Sequence, residues 1–238
     1  MQPPKRGTLQ FVLLGFVLFA GIALRTVQVE RVSNLPLDPD AQGYLTIAHN
    51  ILRGDMDFVQ NGLWPREPFY PLLLAFSLAT LGTLPDYVTI RATSAIVSAL
   101  VVLLTYILGR RLYGECVGIL ASFLVASNAI LVILSSRGLR DDLVTLLLLA
   151  FLVSVDRVRH KPFSSITGLC LISALTFLLV TTRFEMLLVT VVVAVLLYAC
   201  LRSADRSMRL RLPAAIIVSS ALASVLDMAI ARAAAIDS

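Results

Sequence analysis

Residues able to carry chemistry gather in three short stretches of an otherwise apolar chain. The first, Pro36 to Leu74, reads PLDPDAQGYLTIAHNILRGDMDFVQNGLWPREPFYPLLL. It sets Asp38, Asp40, Asp55, Asp57 and Glu67 against two arginines, Arg53 and Arg66. The second, SSRGLRDD from Ser135 to Asp142, places Arg137 and Arg140 beside Asp141 and Asp142. The third, TTRFE from Thr181 to Glu185, holds Arg183 and Glu185. A carboxylate near bases and shielded from bulk water can act as a general base. Guanidinium groups at the same depth can grip a phosphate through two parallel N–H bonds. These parts suit group transfer from a lipid-phosphate donor, with Asp40 as the reactive centre.

The elements that must position these groups follow from composition. Of 238 residues, 58% are hydrophobic and 15% charged, and the charges cluster between apolar runs. Mean hydropathy is +0.88. That pattern predicts a polytopic helical membrane protein, because a helix satisfies its own backbone polar groups in lipid. The net charge of +5 resides largely in short clusters between spans, so it points to cytoplasmic loops and not to a nucleic-acid partner. Cys116, Cys170 and Cys200 are isolated in or near apolar segments and read as small packing residues without metal-ligand spacing. The apolar run from Leu9 to Leu24 reads as an uncleaved first span.

Lys5 and Arg6 put the N-terminus in the cytoplasm, so the acidic stretch that follows lies outside. Within it, Ala41 to Leu52 is predicted as a short helix with Tyr44, Ile47, Ala48, Ile51 and Leu52 on one stripe, ended by Gly54 and lying along the interface. Phe69 to Leu81, opened by Pro68 and Pro71 and closed by Gly82 and Pro85, is marginal for a crossing. If it does not cross, the basic clusters at Arg110–Arg111, at Arg157, Arg159 and Lys161, and at Arg202 to Arg211 all fall on the cytoplasmic side. These follow spans predicted at Thr89 to Gly109, Leu143 to Val155 and Met186 to Leu201. With Val117 to Leu134, Ile166 to Val180 and Ala214 to Ala231, the chain makes about seven crossings. The expected fold is all-α, a transmembrane bundle forming one domain over residues 1–238. An outer loop at about 26–88 carries the short interfacial helices. The three polar stretches then share the outer face.

The arrangement resembles the GT-C superfamily of polyprenyl-phosphate-sugar glycosyltransferases, which includes protein O-mannosyltransferases and lipid A aminoarabinose transferases. The resemblance rests on DAQGYLTIAHNILRG from Asp40, REPFYPLLLA from Arg66, GRRLYG from Gly109 and SRGLRDDL from Ser136, in that order after a first span, and covers most of residues 8–200. It implies an inverting sugar transfer to a glycan, lipid or protein acceptor on the outer face of the plasma (inner) membrane. Asp40 matches the catalytic base and Asp141 the second-loop acid. Tyr44, Arg66, Tyr70, Arg137, Arg140, Asp142, Arg183 and Glu185 fall where donor and acceptor would be held. Family members are usually longer, so this chain is expected to be a fragment or a minimal module. Asp38 and Asp142 each stand beside a matched acid, and no cofactor is implied with certainty; a divalent-metal requirement stays open.

Plainer roles compete at each position. Asp40 can simply cap the helix before Tyr44, and Asp141 and Asp142 the helix from Leu143. Arg183 can snorkel at a span end with Glu185 as its partner. Tyr44, Trp64, Phe69 and Tyr70 match an interfacial aromatic belt, although Trp64 could stack on a sugar. His49 lacks a second ligand at metal spacing. Asp227 and Arg232 mark either an ion path or a span end. Two further functions are therefore weighed against an enzyme: a transporter or flippase of a lipid-linked solute, and a non-catalytic membrane subunit of the same family.

Overall fold

The computed structural model describes residues 6–55, 68–81, 83–160, 166–183, 185–200 and 206–236. Arg66, Asp57, Glu67 and Trp64 lie outside the described residues. The chain is all-helical, with ten α-helices and no strand among the described residues. These are α1 (Arg6–Arg31), α2 (Pro39–Arg53), α3 (Phe69–Thr80), α4 (Asp86–Tyr113), α5 (Glu115–Ser127), α6 (Ala129–Leu134), α7 (Asp141–His160), α8 (Ile166–Thr182), α9 (Met186–Cys200) and α10 (Arg206–Ile236). They divide into two compact units. Unit 1 takes Met1–Leu45 and Leu74–Leu149, and unit 2 takes Thr46–Leu73 and Ala150–Ser238.

Among the described residues, two helices are long and apolar enough to cross a membrane, over Leu9–Arg31 and Asp86–Tyr113. The apolar stretches Phe69–Thr80, Glu115–Ser127, Thr167–Thr182, Met186–Leu196 and Leu210–Leu226 are shorter. Large apolar side chains such as Phe11, Phe16, Phe19, Leu188 and Leu222 stand exposed. Apolar surface of that kind is costly in water and suits contact with lipid.

In unit 1, α1 turns a stripe of Val17, Gly21 and Arg25 inward, spaced four residues apart as one helical face requires. Val17 packs with Val102 of α4 and Ala126 of α5. Gly21 lets α5 come close, since a Cβ there would lie 3.2 Å from the Ala126 Cβ. The α4–α5 hairpin turns at Gly114, whose φ of 93° suits glycine. Its two backbones nearly touch. A Cβ on Gly118 would lie 2.8 Å from the Arg110 nitrogen and 2.9 Å from the Tyr106 carbonyl oxygen. Arg110 Nε pairs with Glu115 Oε2 across the turn at 2.7 Å, and the Tyr106 hydroxyl donates to the same carboxylate.

The predicted single span from Val117 to Leu134 is broken. Asn128 adopts an extended backbone between α5 and α6, and its side chain accepts from Ile130 N and Leu131 N at 3.0 and 3.1 Å. An asparagine oxygen that satisfies the first N–H groups of a new helix makes such a break stable without proline or glycine. Other expected elements run longer than their apolar cores. The helix expected at Ala41 to Leu52 spans Pro39–Arg53 and ends at Gly54, where φ is 69°.

In unit 2, Ile172 and Leu179 of α8, Ala194 of α9, and Leu212, Ile216 and Ala223 of α10 are buried. The Thr190 and Ser220 hydroxyls meet at 3.0 Å and join α9 to α10 within that core. Pro213 sits inside α10.

Candidate active site

The site is built within unit 1 from the loop after α1, the start of α2 and the turn that leads into α7. Arg91 of α4, only 3% exposed, fixes the loop. Its Nη1 donates to the Ser33 carbonyl at 3.1 Å, and its Nη2 donates to those of Leu35 and Pro36 at 2.7 and 3.4 Å. The loop carbonyls are thereby satisfied by a buried cation instead of water, which sets where α2 begins.

That start differs from the expectation in one respect. Helix α2 opens at Pro39, and Gln42 N donates to the Asp38 carbonyl at 3.0 Å. Asp38 therefore occupies the N-cap position, Pro39 the first helical position that proline favours, and Asp40 the second. Asp40 does not cap the helix; it projects from the first turn and is exposed. Without a capping role, its carboxylate stands exposed on the first turn. Tyr44 follows one turn later and is half-buried.

The second stretch reaches Tyr44 through a glycine. Ser135 and Ser136 are buried and return their hydroxyls to the carbonyls of Val132 and Ile133, each at 2.8 Å. Gly138 then takes a φ of 75°, and a Cβ on it would lie 2.9 Å from Ile90 Cγ1 and 3.6 Å from the Ala41 Cβ. This turn thus lies directly on α4 and on the start of α2. From it Arg140 Nη1 donates to the Tyr44 hydroxyl at 2.8 Å. Burial pushes the Tyr44 phenol above its ordinary pKa; the Arg140 charge and hydrogen bond oppose this, while Asp40 and Asp141 add to it. Asp40, Arg140 and Asp141 are thus each within electrostatic reach of the Tyr44 phenol. Arg137 is exposed on the same turn.

Helix α7 opens at Asp141, with Val144 N donating to the Arg140 carbonyl, so Arg140 holds the N-cap position and neither acid does. Successive helical residues point about 100° apart, and Asp141 and Asp142 separate accordingly. Asp141 remains partly exposed near Tyr44, while Asp142 is 8% exposed. Ser98 of α4 and Arg25 of α1 lie close enough to the Asp142 carboxyl to favour its charged form. Burial outweighs both, and the carboxyl is pushed up to about 6.

Arg25 is the residue that sequence reasoning missed. It follows the apolar run Leu9 to Leu24 and looks like a span-end anchor, yet α1 continues to Arg31 and Arg25 is 1% exposed. Its Nε donates to Ser98 Oγ at 2.9 Å, and its Nη1 to the carbonyls of Gly21 and Ala126 at 3.0 and 3.4 Å. Its Nη2 is buried without a hydrogen-bond partner. The signal available was spacing: Val17, Gly21 and Arg25 share one helical face with the residues that pack.

The remaining expected site residues belong to unit 2 or lie outside the description. Arg183 Nε pairs with Glu185 Oε2 at 3.3 Å, a partly exposed pair two residues apart. Tyr70 is 1% exposed and belongs to unit 2. Arg66 lies outside the described residues. Among the described residues no three His, Cys, Asp or Glu side chains come together as a metal cluster. No family model matches the chain, and no curated protein matches it.

Proposed function

We propose that this protein is a membrane glycosyltransferase that moves a sugar from a polyprenyl-phosphate donor to an acceptor on the outer face of the plasma (inner) membrane. The observation that carries the proposal is the Arg140–Tyr44 hydrogen bond, which joins the Asp40 turn to the Arg140–Asp141 turn. Asp40 takes the proton of an acceptor hydroxyl or amine as its oxygen or nitrogen attacks the anomeric carbon. The bond from that carbon to the phosphate oxygen breaks with inversion, and the phosphate leaves as an anion. Arg140 and Arg137 stabilise that leaving charge, and Asp141 orients the acceptor. The proposed topology has about seven crossings, a cytoplasmic N-terminus and α3 lying outside without crossing.

The test is incubation of the purified protein with a panel of radiolabelled polyprenyl-phosphate sugars. Sugar transfer or release that depends on Asp40 supports the proposal. A folded native protein without either, across the panel, refutes it and leaves the non-catalytic subunit.

One observation favours a second function. The α5–α6 break at Asn128 lies near a buried arginine, because Arg25 bonds the Ala126 carbonyl just before it. Broken helices with ionisable groups are what a transporter of lipid-linked solute would use. Flux of a lipid-linked sugar across proteoliposomes without chemical transfer would select that function.

A further inference from the structure

Two adjacent residues of α4, Ile90 and Arg91, each hold one of the two turns that meet at the Arg140–Tyr44 bond. Ile90 is 1% exposed and Arg91 3%. Ile90 lies against the second turn: a Cβ on Gly138 would stand 2.9 Å from its Cγ1 and 3.2 Å from its Cδ1, with the Ala41 Cβ of α2 at 3.6 Å. Arg91 holds the first turn, through the carbonyls of Ser33, Leu35 and Pro36. Thr89, Thr93 and Ser94 are buried as well, so this part of α4 is enclosed on most of its circumference. Successive helical residues point about 100° apart. One rigid helical step therefore sets the direction in which each turn is offered to the other.

The path from Arg91 to Tyr44 has little slack. Leu35 and Pro36 give their carbonyls to Arg91 Nη2. The next two carbonyls, of Leu37 and Asp38, accept from Gln42 Nε2 at 2.9 Å and from Gln42 N at 3.0 Å. Every carbonyl from Leu35 to Asp38 is thus committed, and Pro39 fixes its own φ at the first helical residue. Tyr44 follows shortly after Gln42, and its hydroxyl accepts from Arg140, just beyond Gly138. The contacts close on themselves, from Arg91 through the loop, α2, Tyr44, Arg140 and Gly138 back to Ile90.

A buried guanidinium is a costly partner for loop carbonyls, because carbonyls that faced water would need no desolvated charge. The Arg91 hydrogen bonds go to carbonyls and not to a carboxylate, and its Nε is buried without a hydrogen-bond partner. What arginine adds is a planar fork, whose two terminal nitrogens at fixed spacing fit one path of the chain between Ser33 and Pro36.

We infer that Arg91 is a positioning residue. With Ile90 it seats both turns of the candidate site on one step of α4, and so brings Tyr44 to the Arg140 guanidinium and sets the direction of Asp40. It acts through the loop and not on the acceptor. The seating rests on the geometry; only its consequence for sugar transfer rests on the function proposed above.

The test reads the Tyr44 environment directly. The full-length protein, labelled with 3-fluorotyrosine in detergent micelles, is observed by fluorine NMR; loss of one signal in Tyr44→Phe assigns Tyr44. Arg140→Ala supplies the position of that signal when the hydrogen bond is absent. Arg91→Lys keeps the charge and loses the fork. It is expected to move the Tyr44 signal from its native position toward the Arg140→Ala position. A residue that merely added stability would lower the unfolding temperature and leave the signal in place, so an unmoved signal in folded Arg91→Lys protein overturns the inference. Should that variant not fold, Ile90→Val decides in its place. It removes only the Cδ1 methyl beside Gly138 and is expected to move the signal the same way by less; an unmoved signal there overturns the inference. In the transfer assay, Arg91→Lys should lower turnover several-fold. A shifted signal with no transfer in the native protein keeps the seating role and refutes the glycosyltransferase instead.

Discussion

Arg140 Nη1 donates to the Tyr44 hydroxyl at 2.8 Å, although the two residues stand 96 positions apart in the chain. This one bond joins two turns that the sequence separates by α3, α4, α5 and α6. A charged donor on a half-buried phenol should contribute roughly 1 kcal/mol of pairwise coupling. A double-mutant cycle of Tyr44→Phe and Arg140→Gln, followed by unfolding in detergent, measures it. Coupling indistinguishable from zero would show that the two turns are held together by other contacts.

Gly138 should be the least replaceable residue of the second turn. An alanine there would have to adopt φ near 75° and place its Cβ 2.9 Å from Ile90 Cγ1. The left-handed conformation alone costs roughly 1–2 kcal/mol, and the contact adds to it. Gly138→Ala is therefore expected to lower stability by about 2 kcal/mol or more. Gly15 in α1 is the control, since a Cβ there meets nothing within 4 Å. Gly15→Ala should be neutral or stabilising by up to about 1 kcal/mol. Thermal unfolding of the two variants checks both, and equal midpoints would remove the argument from backbone geometry.

How far the sequence alone reached can be judged from particular residues. Apolar runs bounded by Gly54 and Pro85 located α2 and the start of α4, because breakers act locally and need no tertiary context. The three polar stretches were expected to share one face; Arg140 of the second bonds Tyr44 of the first, with Asp40 and Asp141 in electrostatic reach of that phenol, whereas Arg183 and Glu185 of the third belong to unit 2. The Asn128 break was not legible, since an asparagine inside a long apolar run carries no more signal than a tolerated polar residue. Nor were Arg25 and Arg91. Both look like span-end bases, and their burial depends on carbonyls and a hydroxyl supplied from distant parts of the chain. The N-cap was misassigned to Asp40 because DPD offers two acids, and only the position of Pro39 at the first helical residue decides between them.

The pH dependence of stability should carry the mark of Asp142. Its carboxyl is pushed up to about 6 by burial, with Arg25 and Ser98 opposing, against an ordinary value of 3.8. The folded state therefore holds a proton between about pH 4 and pH 6 that the unfolded chain has released. Stability from this group is greatest below that window and falls as pH rises through it, by roughly 3 kcal/mol in all. Asp142→Asn cannot release a proton and should lack this fall. Unfolding of both proteins across pH 4.5 to 7.5 compares the slopes. A native slope equal to that of the variant would place the Asp142 pKa near its ordinary value.

Asp40 carries the last prediction, as the proposed base for the acceptor. It stands on the exposed side of the first turn of α2, one turn before Tyr44, whereas Asp38 holds the N-cap position. The two acids should therefore respond differently to the same change. Asp40→Asn keeps its size at a position where capping is not required, so fold and expression should survive. Transfer should fall by roughly a hundredfold or more, because an amide cannot accept the acceptor's proton. Asp38→Asn retains a good capping side chain and should change both stability and transfer little. A radiolabelled transfer assay on the two variants, with unfolding as the control, separates the roles. Loss of transfer in Asp38→Asn with none in Asp40→Asn would move the base by two residues. Full transfer in both would mean that neither acid accepts the proton, and the general-base mechanism at this turn would fall.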